Sequence, residues 1–142
     1  MSRIVVGVDG SEGAQQALEF ALREAKLRGA GLRVVMSWQE PATLYAGGFV
    51  VPKPVDEEFE RGVHDALDRV LAAANGAKEG VYVDAVVRKG QAAKVLVDES
   101  RFADLLVVGS RGLGGFRGLL VGSVSQACAH HAHCPVAIVP KP

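Results

Sequence analysis

The chain has 142 residues, of which 49% are hydrophobic, and its 16 basic and 16 acidic residues leave no formal net charge. This length suits a single domain, residues 1–142, and two cysteines provide no disulfide framework. The balanced charge gives no electrostatic footprint for nucleic acid or for a membrane surface. No apolar run approaches membrane-spanning length and the first residues lack a signal-peptide pattern, so we expect a cytoplasmic protein.

Five apolar runs with strand-like composition alternate with helical patterns along the chain. The runs cover residues 4–8, 32–38, 81–87, 104–108 and 136–139. Strands this rich in Val and Ile, joined by helices, predict a parallel sheet with helices on both faces and right-handed crossovers. The predicted fold class is therefore α/β, with a doubly wound sheet.

Capping residues and apolar spacing predict four helices. The first is expected to begin after Ser11 and to end at Gly29. The second follows an apolar stripe over residues 59–74, and the third and fourth are predicted over residues 92–101 and Ser123–His131. Residues 39–54 show neither the helical nor the strand period of apolar residues. They are predicted to form a long loop, a kind of segment that often acts as a lid. Trp38, just before this loop, is expected to belong either to the lid or to the core.

A glycine-rich segment follows the fourth strand-like run. It contains Gly109-Ser110-Arg111-Gly112, nine further residues and then Gly122-Ser123, where a helix is predicted to begin. Glycines let backbone N–H groups approach an anion, and a helix N-terminus adds donors and a positive dipole end. The segment is not a P-loop, because the chain has no Gly-Lys pair, nor a dinucleotide fingerprint, because Arg117 replaces the third glycine. It predicts a phosphate site, the alternative being a plain surface loop.

Asp9 is the second candidate binding residue. In doubly wound sheets, ligands bind beyond the carboxyl ends of the strands, where the strand order reverses. If the first and fourth strands are neighbours, residues 7–11 and the glycine-rich segment converge at that point and Asp9 faces the ligand. A carboxylate there suits ribose hydroxyls or a bridging Mg²⁺. The alternative is that Asp9 is an ordinary helix N-cap.

A cluster of metal-ligand residue types lies near the end of the chain. Residues 128–134 hold two cysteines and three histidines: Cys128, His130, His131, His133 and Cys134. The spacing argues against zinc, which usually takes ligand pairs from two elements. We expect histidines that interact with a helix dipole and cysteines that are small core residues. The chain also lacks a Gly-x-Ser-x-Gly nucleophile motif, and His64 is expected at the surface, so no catalytic base is identified.

Three segments together make the chain resemble the universal stress protein family. They are Ile4-Val5-Val6-Gly7-Val8-Asp9-Gly10-Ser11, the spacing Gly-x-x-Gly-(nine)-Gly-Ser, and Cys134-Pro135-Val136-Ala137-Ile138-Val139. The resemblance is to the ATP-binding branch of that family. It implies a five-stranded sheet in the order 3-2-1-4-5 and a homodimer paired through the last strand, Val136–Val139. That strand is also short, apolar and predicted to lie at a sheet edge, where unpaired backbone groups favour a partner.

The resemblance also implies the residues of a nucleotide site. Asp9 would hold the ribose, the backbone near Ser37 would meet the adenine, and the glycine-rich segment would surround the phosphates. Arg111 and Arg117 are either further phosphate contacts or solvated side chains. The predicted cofactor-binding residues are Gly7, Val8, Asp9, Ser37, Val108, Gly109, Arg111, Gly112, Gly122, Ser123, Val124 and Ser125.

The resemblance implies a nucleotide-dependent stress-response or regulatory protein that binds ATP, with Mg²⁺ as the expected accompanying ion. Two alternatives stay open from the sequence: a slow ATPase, and a sensor of AMP or cyclic AMP. A phosphate-binding loop and backbone contacts to adenine serve all three functions, so the residues alone do not separate them.

Overall fold

The computed structural model describes residues 2–39, 45–46, 49–50, 56–111 and 121–141. Its centre is a parallel sheet of five strands, ordered β3-β2-β1-β4-β5. The strands are β1 (Arg3–Val8), β2 (Gly31–Trp38), β3 (Val83–Lys89), β4 (Leu105–Gly109) and β5 (Val136–Val139). This confirms the order 3-2-1-4-5, in which the chain winds in opposite directions on either side of the boundary between β1 and β4.

Four α-helices cover the two faces of the sheet. They are α1 (Glu12–Arg28), α2 (Asp56–Ala73), α3 (Ala92–Glu99) and α4 (Ser123–His131). Buried residues of α1 and α2 form one apolar layer with the sheet, whereas Leu96 of α3 and Cys128 of α4 belong to a second layer on the other face. The predicted doubly wound α/β fold is therefore confirmed. Among the described helices, none is long and apolar enough to cross a membrane.

Helix α1 begins and ends as its sequence predicts. The hydroxyl oxygen of Ser11 accepts a hydrogen bond from the backbone N–H of Ala14 at 3.1 Å, which is N-terminal capping. At the other end Gly29 adopts a left-handed conformation with φ of 63° and donates its N–H to carbonyls of the last turn. The buried face between these residues consists largely of alanine and leucine, which lets the helix lie close to the sheet.

Strand β2 is buried through most of its length because helices cover both of its faces. Leu32, Val34, Met36 and Trp38 belong to the layer of α1 and α2, whereas Val35 belongs to the layer of α3. The ring of Trp38 packs 5.1 Å from the ring of Phe59 on α2, centroid to centroid. Of the two possibilities for Trp38, the structure therefore supports the core.

Several element boundaries differ from those predicted. Strand β3 begins at Val83 and continues to Lys89, so it starts later and ends later than the apolar run, because an edge strand tolerates charged residues at its end. Helix α3 ends at Glu99, and a 3₁₀ turn, Ser100–Phe102, replaces its predicted last residues. Within the predicted loop of residues 39–54, Tyr45–Ala46 and Phe49–Val50 pair as a small antiparallel ladder. Most of that segment lies outside the described residues.

Candidate functional site

The switch point of the sheet opens into a cleft. It lies beyond the carboxyl ends of β1, β2 and β4, beside the N-terminal ends of α3 and α4, and its empty volume with the solvent at its mouth is about 740 Å³. The described residues that line it are Gly7, Val8, Asp9, Ala14, Val35, Ser37, Ala92, Leu96, Val108, Gly109, Ser110, Arg111, Gly122, Ser123, Val124 and Ser125.

The turn after β1 fixes the direction of the Asp9 carboxylate. Oδ1 of Asp9 accepts a hydrogen bond from the backbone N–H of Ser11 at 2.9 Å. Gly10 between them has φ of 85°, a conformation that other residues rarely adopt. Ser11 is the N-cap of α1, so the alternative that Asp9 is that cap is wrong. Asp9 is instead an exposed carboxylate at the cleft, oriented by the backbone of the turn.

Glycines at the cleft allow three backbone segments to pack against one another. A Cβ atom on Gly109 would lie 2.9 Å from the carbonyl oxygen of Gly13, and one on Gly13 would lie 2.7 Å from the carbonyl oxygen of Arg111. Cβ atoms essentially never approach other atoms so closely. The first turn of α1, the end of β4 and the start of the glycine-rich segment therefore interlock, which fixes where that segment leaves the sheet.

The N-terminus of α4 lies at the cleft. Its N-cap residue is Gly122, and no side chain caps the helix. The first N–H groups of an α-helix have no acceptor inside the helix, and the helix dipole places partial positive charge there. Ser123 and Val124 line the cleft at this end, and Ser123 is exposed. An anion that enters the cleft therefore meets backbone donors and a hydroxyl group.

Ser125 lines the same cleft but is 2% exposed. Its Oγ lies 3.1 Å from the carbonyl oxygen of Ser110 and 3.0 Å from that of Gly122, in donor geometry to both. A hydroxyl has a single proton, which these two carbonyl oxygens engage. The side chain therefore joins α4 to the end of β4, and this is a structural role that the sequence did not predict.

The other end of the cleft is apolar. Val35 of β2 and Leu96 of α3 are 1% and 5% exposed, and both line the cleft together with Ala92. A Cβ atom on Gly7 would lie 2.6 Å from Cδ1 of Leu96, so this glycine lets α3 approach β1 closely. Ser37, at the carboxyl end of β2, lies beside this apolar surface. Such a surface suits the flat face of a nucleobase.

Ion pairs hold the C-terminal end of α3 against the sheet. Nε of Arg33 on β2 lies 2.7 Å from Oε2 of Glu99, and NH1 of the same guanidinium lies 2.6 Å from Oδ2 of Asp84 on β3. The side chains of Arg33 and Glu99 are 15% and 16% exposed, so water screens this pair less than it screens a surface pair. The arrangement fixes α3, whose N-terminal end forms the apolar wall of the cleft.

The structure brings eleven of the twelve predicted residues to this one cleft, and Gly112 lies outside the described residues, as does Arg117. Five further lining residues were not predicted: Ala14, Val35, Ala92, Leu96 and Ser110. Ala92 could have been found from the rule that the N-terminus of a helix following a parallel strand lies at the ligand edge.

The cysteines and histidines near the end of the chain do not form a metal site among the described residues. Cys128 is fully buried, and burial raises the pKa of its thiol to about 11, which disfavours the thiolate that binds metal. Burial likewise raises the pKa of Cys134. His130 and His131 are exposed in the last turn of α4, where the helix dipole favours positive charge.

Fold and cleft together define a doubly wound α/β protein with a cleft at the switch point of its sheet. The model of the universal stress protein family matches residues 1–140. The chain belongs to the universal stress protein family.

Individual relatives agree with this assignment. A universal stress protein of Mycolicibacterium smegmatis (strain ATCC 700084 / mc(2)155) is 35% identical over 143 residues, covering 96% of this chain and 47% of the relative. A universal stress protein of Mycobacterium tuberculosis (strain ATCC 25618 / H37Rv) is 35% identical over 139 residues, covering 96% of this chain and 46% of the relative. The chain thus spans about half the length of these relatives. A crystal structure of a universal stress protein in complex with cAMP superposes with a TM-score of 0.70 and 26% identity, covering 97% of this chain and 95% of that one.

Proposed function

We propose that this chain binds an adenine nucleotide in the cleft and that the bound nucleotide acts as a regulatory ligand. One observation carries the proposal: the uncapped N-terminus of α4 enters the same cleft as the oriented carboxylate of Asp9 and the apolar wall of Val35 and Leu96. A nucleotide has an anionic end, a diol and a flat apolar base. The cleft offers a suitable surface for each of them.

The three parts of the nucleotide have distinct partners in this proposal. The phosphates bind at the N–H groups of Ser123 and Val124, where the helix dipole favours negative charge. The ribose hydroxyls donate to the carboxylate of Asp9. The base lies against Leu96, with polar contacts to the backbone at Ser37.

ATP accompanied by Mg²⁺ is the proposed ligand. Among the described residues lining the cleft, Asp9 and Arg111 carry charge, and they are of opposite sign. A triphosphate brings several negative charges close to Asp9, so a divalent cation that takes oxygen ligands would reduce the repulsion. The Asp9 carboxylate is of the type that would hold such an ion, directly or through water.

A second candidate ligand is AMP or cyclic AMP. The related structure in complex with cAMP supports this class. The charged residues among the described cleft lining are one arginine and one carboxylate. Such a cleft also suits a monophosphate, which needs less charge compensation than a triphosphate does. In either case the proposed biological role is that of a cytoplasmic stress-response protein whose nucleotide biases its conformation or its choice of partner.

Calorimetric titration of the purified protein with MgATP, AMP and cAMP tests the site. In Gly122→Glu a carboxylate would occupy the anion site, and like charges brought together cost several kcal/mol, so we expect the nucleotide Kd to rise more than about a hundredfold. Gly122→Ala adds a Cβ atom, 3.2 Å from the carbonyl oxygen of Ser110, but no charge. It therefore separates the effect of side-chain size from the effect of charge. We expect it to have a much smaller effect.

Gly62→Glu is the matched control. Gly62 is an exposed residue of α2 where an added Cβ would meet nothing within 4 Å, so the same substitution there should leave binding unchanged. If folded Gly122→Glu binds every nucleotide as tightly as the parent does, the proposed phosphate site is wrong. Chromatography of the nucleotide released from freshly purified, denatured protein identifies the ligand that the protein carries from the cell.

A further inference from the structure

Ser110 connects the cleft to the edge strand of the sheet. It is 7% exposed and directly follows β4, within the glycine-rich segment. Its backbone N–H donates to the carbonyl oxygen of Val139 at 2.8 Å, and its Oγ accepts from the N–H of Lys141 at 3.3 Å. Its own carbonyl oxygen accepts from the N–H of Gly122 and from Oγ of Ser125. One buried residue thus joins the end of β5 to the start of α4.

The outer side of β5 is available for pairing in the described chain. The carbonyl oxygens of Pro135 and Val139 accept hydrogen bonds from Leu106 and Ser110, so these residues turn toward the body of the sheet. Because backbone groups alternate along a strand, Val136 and Ile138 turn their N–H and C=O groups to the open edge. A second copy of this chain could pair there.

We infer that Ser110 couples nucleotide binding to dimerisation through β5, so that bound nucleotide tightens the dimer. The inference rests on the proposed function. A phosphate at the N-terminus of α4 restrains Gly122, whose N–H is bonded to the Ser110 carbonyl. A partner strand that pairs with Val136 and Ile138 restrains β5 and the nearby Lys141, whose N–H is bonded to Oγ of Ser110. Whichever of the nucleotide and the partner strand binds first therefore orders the junction at Ser110, and the other binds to a junction already ordered. Such coupling is reciprocal: the dimer binds nucleotide more tightly than the monomer by the same factor.

Ser100 provides a matched control at the other end of β5. It is fully buried, and its Oγ accepts from the N–H of His133 at 2.9 Å, just before β5, as Ser110 accepts from Lys141 just after it. Ser100 does not line the cleft. Ser100→Ala also removes a buried hydroxyl that accepts from the backbone beside β5, and with it a bond to the carbonyl oxygen of Val97. It leaves the proposed connection intact, so it should not alter the dependence of dimerisation on nucleotide.

The experiment measures the dimer Kd by sedimentation velocity with and without saturating MgATP, after calorimetry has established binding. For the parent protein we expect MgATP to lower the dimer Kd about fivefold or more, the lower end of typical allosteric coupling. Ser110→Ala removes the Oγ that accepts from Lys141 and keeps the backbone hydrogen bonds to Val139 and Gly122, so in this variant the ratio should fall toward one, whereas Ser100→Ala should retain it. Amide hydrogen exchange at Lys141 should slow on addition of MgATP in the parent and not in Ser110→Ala.

A second pair of variants changes Lys141, which is not among the described residues that line the cleft. Their effect on dimerisation therefore does not come from a change in the cleft lining. Lys141→Pro removes the N–H that Ser110 accepts, whereas Lys141→Ala removes the same side chain and keeps that N–H. We expect the first to lower the ratio and the second to leave it unchanged. If the parent binds MgATP but its dimer Kd does not change, or if Ser110→Ala and Lys141→Pro keep the full ratio, the coupling is wrong and nucleotide binding stands. A parent protein that binds no nucleotide would instead overturn the proposed function.

Discussion

Gly13 shows how a residue without a side chain determines the shape of the cleft. It lies in the first turn of α1, where its backbone packs against the end of β4 and against the carbonyl oxygen of Arg111. The close approach brings the turn containing Asp9 next to the start of the glycine-rich segment. Close backbone contact therefore holds the two halves of the proposed site together.

This packing predicts that Gly13→Ala destabilises the protein. The added Cβ atom would lie 2.7 Å from a backbone oxygen, which has little freedom to move away. Overpacking of this kind costs about 1–3 kcal/mol, and the better helix propensity of alanine offsets up to about 1 kcal/mol of it. We expect a net loss of about 1 kcal/mol or more in the free energy of unfolding, measured by urea denaturation.

The control for this prediction is Gly62→Ala in α2. Its Cβ atom would meet nothing within 4 Å, so the same substitution should stabilise the protein by about 0.5–1 kcal/mol. Because Gly13 contacts the carbonyl of Arg111, its variant should also weaken nucleotide binding, and Gly62→Ala should not. Equal stability of the two alanine variants would mean that the backbone contact at Gly13 is not tight in solution.

At the scale of elements, regular periodicity made the strands and helices predictable. The alanine and leucine stripe of α1 indicates a helix, and the short Val- and Ile-rich run of β1 and the Leu- and Val-rich run of β4 indicate strands. The end of β3 could not be predicted in the same way, because Arg88 and Lys89 are charged and the ladder that pairs them with β2 is made by the backbone. Apolar periodicity identifies the residues that face a buried layer, and an edge strand such as β3 has few buried residues to show it.

The candidate site was predictable where its residues leave a local pattern. The turn after β1 and the glycine spacing after β4 are both visible in the sequence. Leu96 was not, because an apolar residue at helical spacing looks the same whether it lines a cleft or fills a core. Ser110 was not, because its hydrogen bonds join residues that are distant in the sequence, and no local pattern marks such partners.

Strand β5 carries the prediction of a homodimer. It is short and lies at the sheet edge, all four of its residues are partly exposed, and its outward backbone groups are those of Val136 and Ile138. Pairing about a two-fold axis would satisfy these groups in an isologous interface. We expect sedimentation at micromolar concentration to show a dimer of the parent protein.

Ile138→Lys should shift this equilibrium toward monomer. Two lysines near the axis would repel each other, and raising the salt concentration should restore part of the association because it screens that repulsion. Ile138→Ala controls for lost apolar contact and should lack the salt dependence. A parent protein that is monomeric at micromolar concentration, or a folded Ile138→Lys dimer as tight as the parent, would contradict the prediction.

For the whole molecule, the order β3-β2-β1-β4-β5 determines where chemistry can occur. The strand order reverses between β1 and β4, and this leaves a gap beyond the carboxyl ends of the two strands. In such a sheet, loops from both halves can line only a gap of this kind. Relatives about twice as long match this chain over half of their length. In the proposed dimer, two copies would together supply two such clefts.

The final prediction is that ATP turnover is slow. Phosphoryl transfer requires an in-line nucleophile held by a base or orienting group and positive charge at the transferring phosphoryl. Among the described lining residues, Asp9 and Arg111 are the ionisable ones, and Asp9 is assigned to the ribose or to Mg²⁺. Binding ground and transition states equally well does not raise kcat. We therefore expect fewer than about one turnover per second, the low end of the usual enzyme range.

Single-turnover hydrolysis of labelled ATP, with protein freed of contaminating ATPases, measures this rate. Asp9→Asn keeps the size and the acceptor oxygen that Ser11 uses but removes the charge. For a regulatory ligand we expect this variant to lose affinity, because a neutral amide is a weaker acceptor for ribose hydroxyls and a poor ligand for Mg²⁺, with little change in an already slow rate. Turnover of many per second in the parent that disappears in Asp9→Asn would identify Asp9 as a catalytic residue, and the protein would then be an ATPase.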